Sequence, residues 1–179
     1  EENRKPEARD DELGARAGQE TILPVIRNDV DPDGDILTIQ DPPSYVSGPK
    51  AETIAVVGDG TQLQMRFRAQ DSGGQAVYKY VADDGREGVD DAELTINIVP
   101  ATQNSNPERV MDDGVPRETR VTLSAGQKTT IYAMPDWTDP DGDGLVLDDA
   151  QVKSGGSLLA RPDGLIEFQD DGRPGDKVI

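Results

Sequence analysis

The segment Ala92-Glu93-Leu94-Thr95-Ile96-Asn97-Ile98 alternates apolar and polar residues along its whole length. Alternation with a period of two predicts a β-strand that buries its apolar side chains on one face. Leu63–Arg68 repeats the pattern, with Leu63, Met65 and Phe67 on a common face, and Tyr78-Lys79-Tyr80 shows it over a shorter run. These segments predict a sheet with one solvent face and one buried face.

Further short runs of the same kind follow one another along the chain, separated by turn-forming Gly, Asp and Ser residues. We expect them to be strands at Thr21–Ile26, Ile36–Ile39, Ala51–Val57, Arg120–Leu123, Thr129–Ala133, Leu145–Leu147, Ser157–Ala160 and Leu165–Phe168. Roughly seven short strands per hundred residues, with no amphipathic helix, indicate an all-β chain of antiparallel β-sandwiches.

An internal duplication is visible in the acidic segment Asp31-Pro32-Asp33-Gly34-Asp35, which recurs as Asp139-Pro140-Asp141-Gly142-Asp143. Each copy begins 13 residues after a Gly-Gln pair, Gly18-Gln19 and Gly126-Gln127. A repeat in one register predicts tandem domains. We place them at 1–103 and 104–179, with a short polar linker between them.

The second copy has no counterpart of the runs Lys79–Ala82 and Ala92–Val99. We therefore expect a truncated second sandwich that lacks its final strands. We also expect the chain to be a piece of a longer protein.

The composition excludes several function classes. Asp and Glu number 36 against 18 Lys and Arg, which gives a net charge of −18. That charge has the wrong sign for binding nucleic acid or an anionic lipid surface. Histidine and cysteine are absent, which removes Ser-His-Asp and Cys-His catalysis and the usual zinc sites. We expect no enzyme, and no stretch of the sequence is long and apolar enough to span a membrane.

The residues at this point resemble a known family. Asp10-Asp11, the segment from Asn28 to Thr38, Asp59-Gly60, Tyr78-Lys79-Tyr80-Val81 and Asp83-Asp84-Gly85 are similar to the cadherin-like and bacterial Ig-like tandem repeats of large bacterial surface proteins. The resemblance implies stacked Ig-like or cadherin-like β-sandwiches in an extracellular or cell-surface protein. Their role would be structural or adhesive, with neighbouring repeats of the same chain, and a cell-surface protein or glycan, as partners.

The repeated acidic segments pose a chemical question, because three carboxylates in five residues repel one another. Calcium prefers clustered carboxylate and carbonyl oxygens, so Asp31, Asp33 and Asp35 in the first copy, and Asp139, Asp141 and Asp143 in the second, are candidate ligands. Asp, Pro and Gly are also ordinary turn formers, and solvated turns without metal are the alternative.

The family resemblance implies a particular arrangement of this calcium site. Asp139 and Asp141 would meet Asn104 or Asn106 of the linker and an acid of the first domain, Asp83 or Asp84. Asp31, Asp33 and Asp35 would face a preceding domain that lies outside the chain. Calcium bound in this way would rigidify the junctions between domains.

Trp137 is the single tryptophan and lies next to the second acidic segment. It fits a packed position between domains, or a ring on which a sugar stacks. The second interpretation makes a carbohydrate-binding module the alternative function.

Overall fold

The computed structural model describes residues 3–112 and 114–179, and these form strands and loops with two single-turn 3-10 helices, Val25–Asn28 and Met134–Asp136. The backbone divides into two compact units. Unit 1 comprises Glu1–Ser105 and Pro140–Asp143, and unit 2 comprises Asn106–Asp139 and Gly144–Ile179. The predicted all-β sandwich class is confirmed.

Unit 1 is a two-sheet sandwich. Its strands are β1 (Asp11–Arg16), β2 (Glu20–Leu23), β3 (Thr38–Ile39), β4 (Ser44–Ser47), β5 (Thr53–Val57), β6 (Gln62–Arg66), β7 (Gly74–Asp83) and β8 (Val89–Val99). One sheet has the order β1-β8-β7-β3, with β4 also paired to β7, and the other has the order β2-β6-β5.

The core of unit 1 consists of the alternate residues that the sequence pattern identifies. Leu63, Met65 and Phe67 are fully buried, as are Tyr78 and Tyr80 on β7. On β8 the four alternating apolar residues are each at most 4% exposed: Ala92, Leu94, Ile96 and Ile98. Period-two patterning therefore predicted correctly which face of each strand is buried.

One strand pair departs from the expected antiparallel arrangement. β1 pairs with β8 in parallel, with Asp11 opposite Leu94 and Arg16 opposite Val99. The chain leaves β1 for β2 in the opposite sheet, so β1 has no hairpin partner and joins β8 from far along the sequence. The Asp11–Arg16 segment lacks regular alternation, so its pattern does not predict this strand.

The predicted strand Thr21–Ile26 is wrong in its second half. β2 ends at Leu23, and a 3-10 helix starts at Val25. Pro24 lies between them, and its missing amide hydrogen cannot continue a ladder of hydrogen bonds. This early end leads the chain into the first acidic segment.

Unit 2 contains shorter pairings. Its strands are β9 (Glu108–Arg109), β10 (Met111–Asp112), β11 (Val115–Pro116), β12 (Lys128–Tyr132), β13 (Trp137–Thr138), β14 (Ser157–Ala160) and β15 (Leu165–Gln169). The main sheet has the order β12-β15-β14, and two further pairs join β13 with β9 and β10 with β11.

The main sheet of unit 2 corresponds to the β2-β6-β5 sheet of unit 1. Thr21 lies opposite Met65 in one, and Thr129 lies opposite Phe168 in the other. The described part of unit 2 contains no strand pair like β7 and β8. Only Ile166 and Phe168 are buried among its apolar residues.

The predicted strands Arg120–Leu123 and Leu145–Leu147 are wrong, because both segments are loops. An extended segment becomes a strand only when a neighbour accepts and donates its backbone hydrogen bonds. The strands Ser157–Ala160 and Leu165–Gln169 are hydrogen-bonded to each other and match their predicted positions.

Truncating a core side chain tests this division into buried and exposed positions. Leu23→Ala removes a side chain that is 1% exposed, and Ile36→Ala removes one that is 81% exposed. We expect Leu23→Ala to lower the free energy of unfolding by about 2–5 kcal/mol, and Ile36→Ala by no more than about 0.5 kcal/mol. Urea unfolding followed by circular dichroism measures both, and equal losses would contradict the assigned core.

Candidate metal centres in the acidic loops

The first acidic segment brings its carboxylates together. In this first acidic loop (Asp31–Asp35), one oxygen from each of the three carboxylates lies within 4.8 Å of the other two. The second acidic loop (Asp139–Asp143) is divided between the units, with Asp139 in unit 2 and Asp141 and Asp143 in unit 1. In the first loop, Asp31 Oδ1 accepts hydrogen bonds from the backbone N–H of Asp33 at 2.8 Å and of Asp35 at 3.1 Å. Gly34 completes the turn with a φ of +80°, which glycine adopts without strain.

Two arginines compensate the negative charge of the first acidic loop. Asp33 accepts hydrogen bonds from the backbone N–H and the Nε of Arg4, both at 2.7 Å. The Arg4 backbone N–H, and after it the Arg4 side chain, hold the pKa of Asp33 below its ordinary value. Arg86 Nη1 lies 2.9 Å from Asp35 Oδ2. The sequence reasoning missed both arginines, although Arg86 directly follows Asp83-Asp84-Gly85.

One carboxylate oxygen of the first acidic loop accepts no hydrogen bond. Asp31 Oδ2 is buried, and no hydrogen-bond donor reaches it. A buried carboxylate oxygen without a donor is costly. A hard cation such as calcium would satisfy it, so the residues of this loop fit the ion.

The predicted ligands Asp83 and Asp84 belong to unit 1 and have partners of their own. Asp84 accepts hydrogen bonds from Asn3 Nδ2 at 2.7 Å and from the backbone N–H of Arg86 at 2.6 Å and of Gly88 at 3.0 Å. Burial opposes ionisation of Asp84, but these donors together lower its pKa. Asp83 accepts from Gly85 N at 2.7 Å and Gln40 Nε2 at 3.3 Å.

The second acidic loop contacts a buried arginine of unit 1. Asp141 is 1% exposed, and its Oδ2 lies 3.3 Å from Arg16 Nη2, which also pairs with Asp143. Asp141 further accepts from the backbone N–H of Ser105 and, at 3.0 Å, from the Ser105 hydroxyl. The predicted ligand Asn104 accepts from Arg16 Nη2 at 2.6 Å.

The other two predicted ligands near this loop belong to unit 2. Asp139 is 9% exposed and is the first carboxylate of the second acidic loop. Asn106 is exposed to solvent. Whether either residue binds a metal ion stays a prediction.

Glycines allow Pro140–Asp143 to pack on β1. A Cβ atom on Gly142 would overlap the backbone oxygen of Gly14, and one on Gly14 would overlap the backbone oxygen of Pro140. At Gly34, the matching position in the first loop, a Cβ atom would meet nothing within 4 Å. The same pentapeptide is therefore closely packed in one copy and open in the other.

Trp137 lies at the surface of unit 2. It pairs with Arg109 across the β13–β9 ladder, and the Arg109 guanidinium stands over the indole ring at 5.1 Å from its centroid. The side chain stays 39% exposed. A cation–π contact of this kind fixes the ring and covers one of its faces.

Comparison with known protein families identifies the family of this chain. The bacterial Ig domain family matches residues 3–97, more than half of the sequence, so the chain belongs to that family. It is accordingly a structural module of the bacterial Ig type. No curated protein matches the chain significantly. Among the described residues, no helix has the length and apolar character that crossing a membrane requires.

Solved structures give remote likenesses. An endo-fucoidan hydrolase of glycoside hydrolase family 107 is 19% identical, with 93% of this chain and 24% of that chain covered and a TM-score of 0.41. A nucleoside hydrolase-related protein from Saccharophagus degradans, described as associated with carbohydrate metabolism, is 16% identical over 54% of this chain and 26% of that chain, with a TM-score of 0.35.

Tandem Ig repeats of Dlar are 16% identical over 93% of this chain and 80% of that chain, with a TM-score of 0.30. The chain spans about a quarter of the length of the endo-fucoidan hydrolase it matches. At these TM-scores, none of the three structures bears on the function of this chain.

Replacing the buried arginine tests how the second acidic loop is held. Arg16→Gln leaves Asp141 buried beside a neutral amide, and we expect a loss of up to about 3–5 kcal/mol in the free energy of unfolding of unit 1. Arg4→Gln, at a side chain 63% exposed, is the matched control, with an expected loss under about 1 kcal/mol. Urea unfolding measures both, and an Arg16→Gln loss no larger than the control's would contradict the buried ion pair.

Proposed function

We propose that this chain is a non-catalytic structural and adhesive repeat module of a large extracellular bacterial protein, and that calcium bound at its acidic loops rigidifies it. Membership of the bacterial Ig domain family supports the structural role. The partners would be neighbouring repeats of the same longer chain, and a protein or glycan at a cell surface.

The observation that carries the calcium proposal is the buried Asp31 Oδ2, which no donor reaches, beside the carboxylates of Asp33 and Asp35. Asp31, Asp33 and Asp35 would hold the ion in unit 1. Its chemistry would be charge neutralisation by a hard cation with oxygen ligands.

The two acidic loops differ in how well they suit calcium. In the first loop the compensating side chains of Arg4 and Arg86 are 63% and 48% exposed, so they can turn into solvent when a cation binds. In the second loop Arg16 is 9% exposed and has less freedom to leave. Asp139, Asp141 and Asp143 therefore form the weaker of the two proposed sites.

Thermal unfolding in calcium, magnesium and chelator at matched ionic strength tests the proposal. Because a ligand that binds only the folded state adds about 2.7 kcal/mol at one hundred times its Kd, we expect calcium to raise the midpoint by several degrees and magnesium to have little effect. Asp31→Asn keeps the oxygen that accepts the two backbone hydrogen bonds but removes the charge, so it should abolish the shift.

Asp41→Asn is the control for a simple loss of charge, because Asp41 is exposed and lies outside both acidic loops. It should leave the calcium shift intact. Identical midpoints in the three solutions for the unmodified chain would rule out a specific calcium site.

A carbohydrate-binding module is the second candidate function, favoured by the 39% exposure of Trp137. If a sugar stacks on the indole ring, Trp137→Ala should abolish retention on a glycan array. Tyr132→Ala removes another exposed aromatic ring of unit 2, 51% exposed, and should not change retention. If no glycan on the array retains the unmodified chain, this function is excluded.

A further inference from the structure

The hydroxyl group of Tyr80 lies among oxygen atoms. Tyr80 is fully buried on β7, and its hydroxyl oxygen lies 3.0–3.2 Å from five acceptor oxygens. They are Asp11 Oδ2, both carboxylate oxygens of Asp29, and the backbone oxygens of Arg9 and Val25. A tyrosine hydroxyl has a single hydrogen, so it can donate to only one of them at a time.

The two carboxylates differ in their other donors. Burial raises the pKa of Asp29, but its Oδ1 also accepts a hydrogen bond from the backbone N–H of Arg9 at 2.8 Å, which opposes that shift and favours the ionised form. Asp11 Oδ2 lies 3.1 Å from the Tyr80 hydroxyl oxygen. If both carboxylates were ionised, two negative charges would compete for one hydrogen in the interior of unit 1.

We propose that Asp11 binds a proton when unit 1 folds, and that the resulting neutral acid donates a hydrogen bond to Tyr80, whose hydroxyl donates in turn to the Asp29 carboxylate. In this relay each hydrogen has one donor and one acceptor. The Asp11 proton then connects β1 to β7 and, through Tyr80, to the segment that leads into the first acidic loop. The inference stands independently of calcium.

The surroundings of Asp11 favour its neutral form. Burial is the main cause that raises the pKa of Asp11 to about 7, and the hydrogen bond with Tyr80 opposes it. The charges of Asp29 and Asp10 raise the pKa further, and Arg27 lowers it. Arg9 and Asp90 also face the cluster from the Asp29 side. Burial and the two carboxylates raise the pKa of Tyr80, so its hydroxyl keeps its hydrogen.

The proton has a structural consequence for β1. Asp11 is the first residue of β1 and lies opposite Leu94 in the parallel pairing with β8. Because the pKa of Asp11 is higher in the folded than in the unfolded chain, the proton stabilises the fold fully below the ordinary pKa of 3.8. That contribution is lost as the pH rises through about 7.

Carbon-13 NMR titration of the aspartate carboxyl carbons tests the proposal directly on the unmodified chain. Chelator is kept present so that calcium cannot contribute. We expect Asp11 to titrate near pH 7. A chemical shift that shows the Asp11 carboxyl group ionised throughout pH 5–8 would overturn the proposal. This measurement does not require any variant to fold.

Asp11→Asn provides a second test, because its amide group can donate to Tyr80 as the neutral acid does, at every pH. Between pH 5 and pH 8 we expect the unfolding equilibrium constant of the unmodified chain to rise relative to that of Asp11→Asn by at least roughly tenfold. Asp41→Asn should run parallel to the unmodified chain. Parallel profiles for Asp11→Asn and the unmodified chain would also overturn the proposal.

Discussion

Repulsion between closely spaced carboxylates is the constraint on which the arrangement of this chain depends. Two like charges 4 Å apart repel by about 4 kcal/mol at the effective dielectric constant of a protein surface, and three carboxylates of the first acidic loop have oxygens within 4.8 Å of one another. Guanidinium groups from distant parts of the sequence compensate this negative charge. They are those of Arg4 and Arg86 at the first loop and of Arg16 at the second.

The two acidic loops share one backbone hydrogen bond and differ in the cation that pairs with them. In both, a backbone N–H from earlier in the sequence donates to the central aspartate, from Arg4 to Asp33 and from Ser105 to Asp141. The cations differ, since Arg4 is largely exposed and Arg16 is buried. An identical pentapeptide therefore has a largely exposed cationic partner in one copy and a buried one in the other.

The cluster of Asp11, Tyr80 and Asp29 shows the same constraint inside the sandwich. Among the described residues, no arginine hydrogen-bonds directly to Asp11, and burial is the main influence on the pKa of that carboxyl. A proton is then the smallest positive charge that can settle the conflict. The acidic loops and the cluster around Tyr80 thus compensate their acids by different means, guanidinium groups in the loops and a proton in the cluster.

The sequence by itself determined the strands whose two faces differ in polarity and the buried aromatic residues Phe67, Tyr78 and Tyr80. These depend on local alternation, which a short segment carries within itself. It also identified the acidic loops as places where charge must be compensated. Its strand predictions for Arg120–Leu123 and Leu145–Leu147 were wrong, because a strand also needs a hydrogen-bonded partner.

Only the tertiary structure decided the parallel pairing of β1 and which cation compensates which loop. Arg16 and Asp141 are 125 residues apart, and Tyr80 and Asp11 are 69 residues apart. No local pattern marks such pairs, because their contact depends on how the sheets bring distant segments together. The same geometry separates the exposed oxygens that water solvates from the buried ones that need a hydrogen bond, a proton or a metal ion.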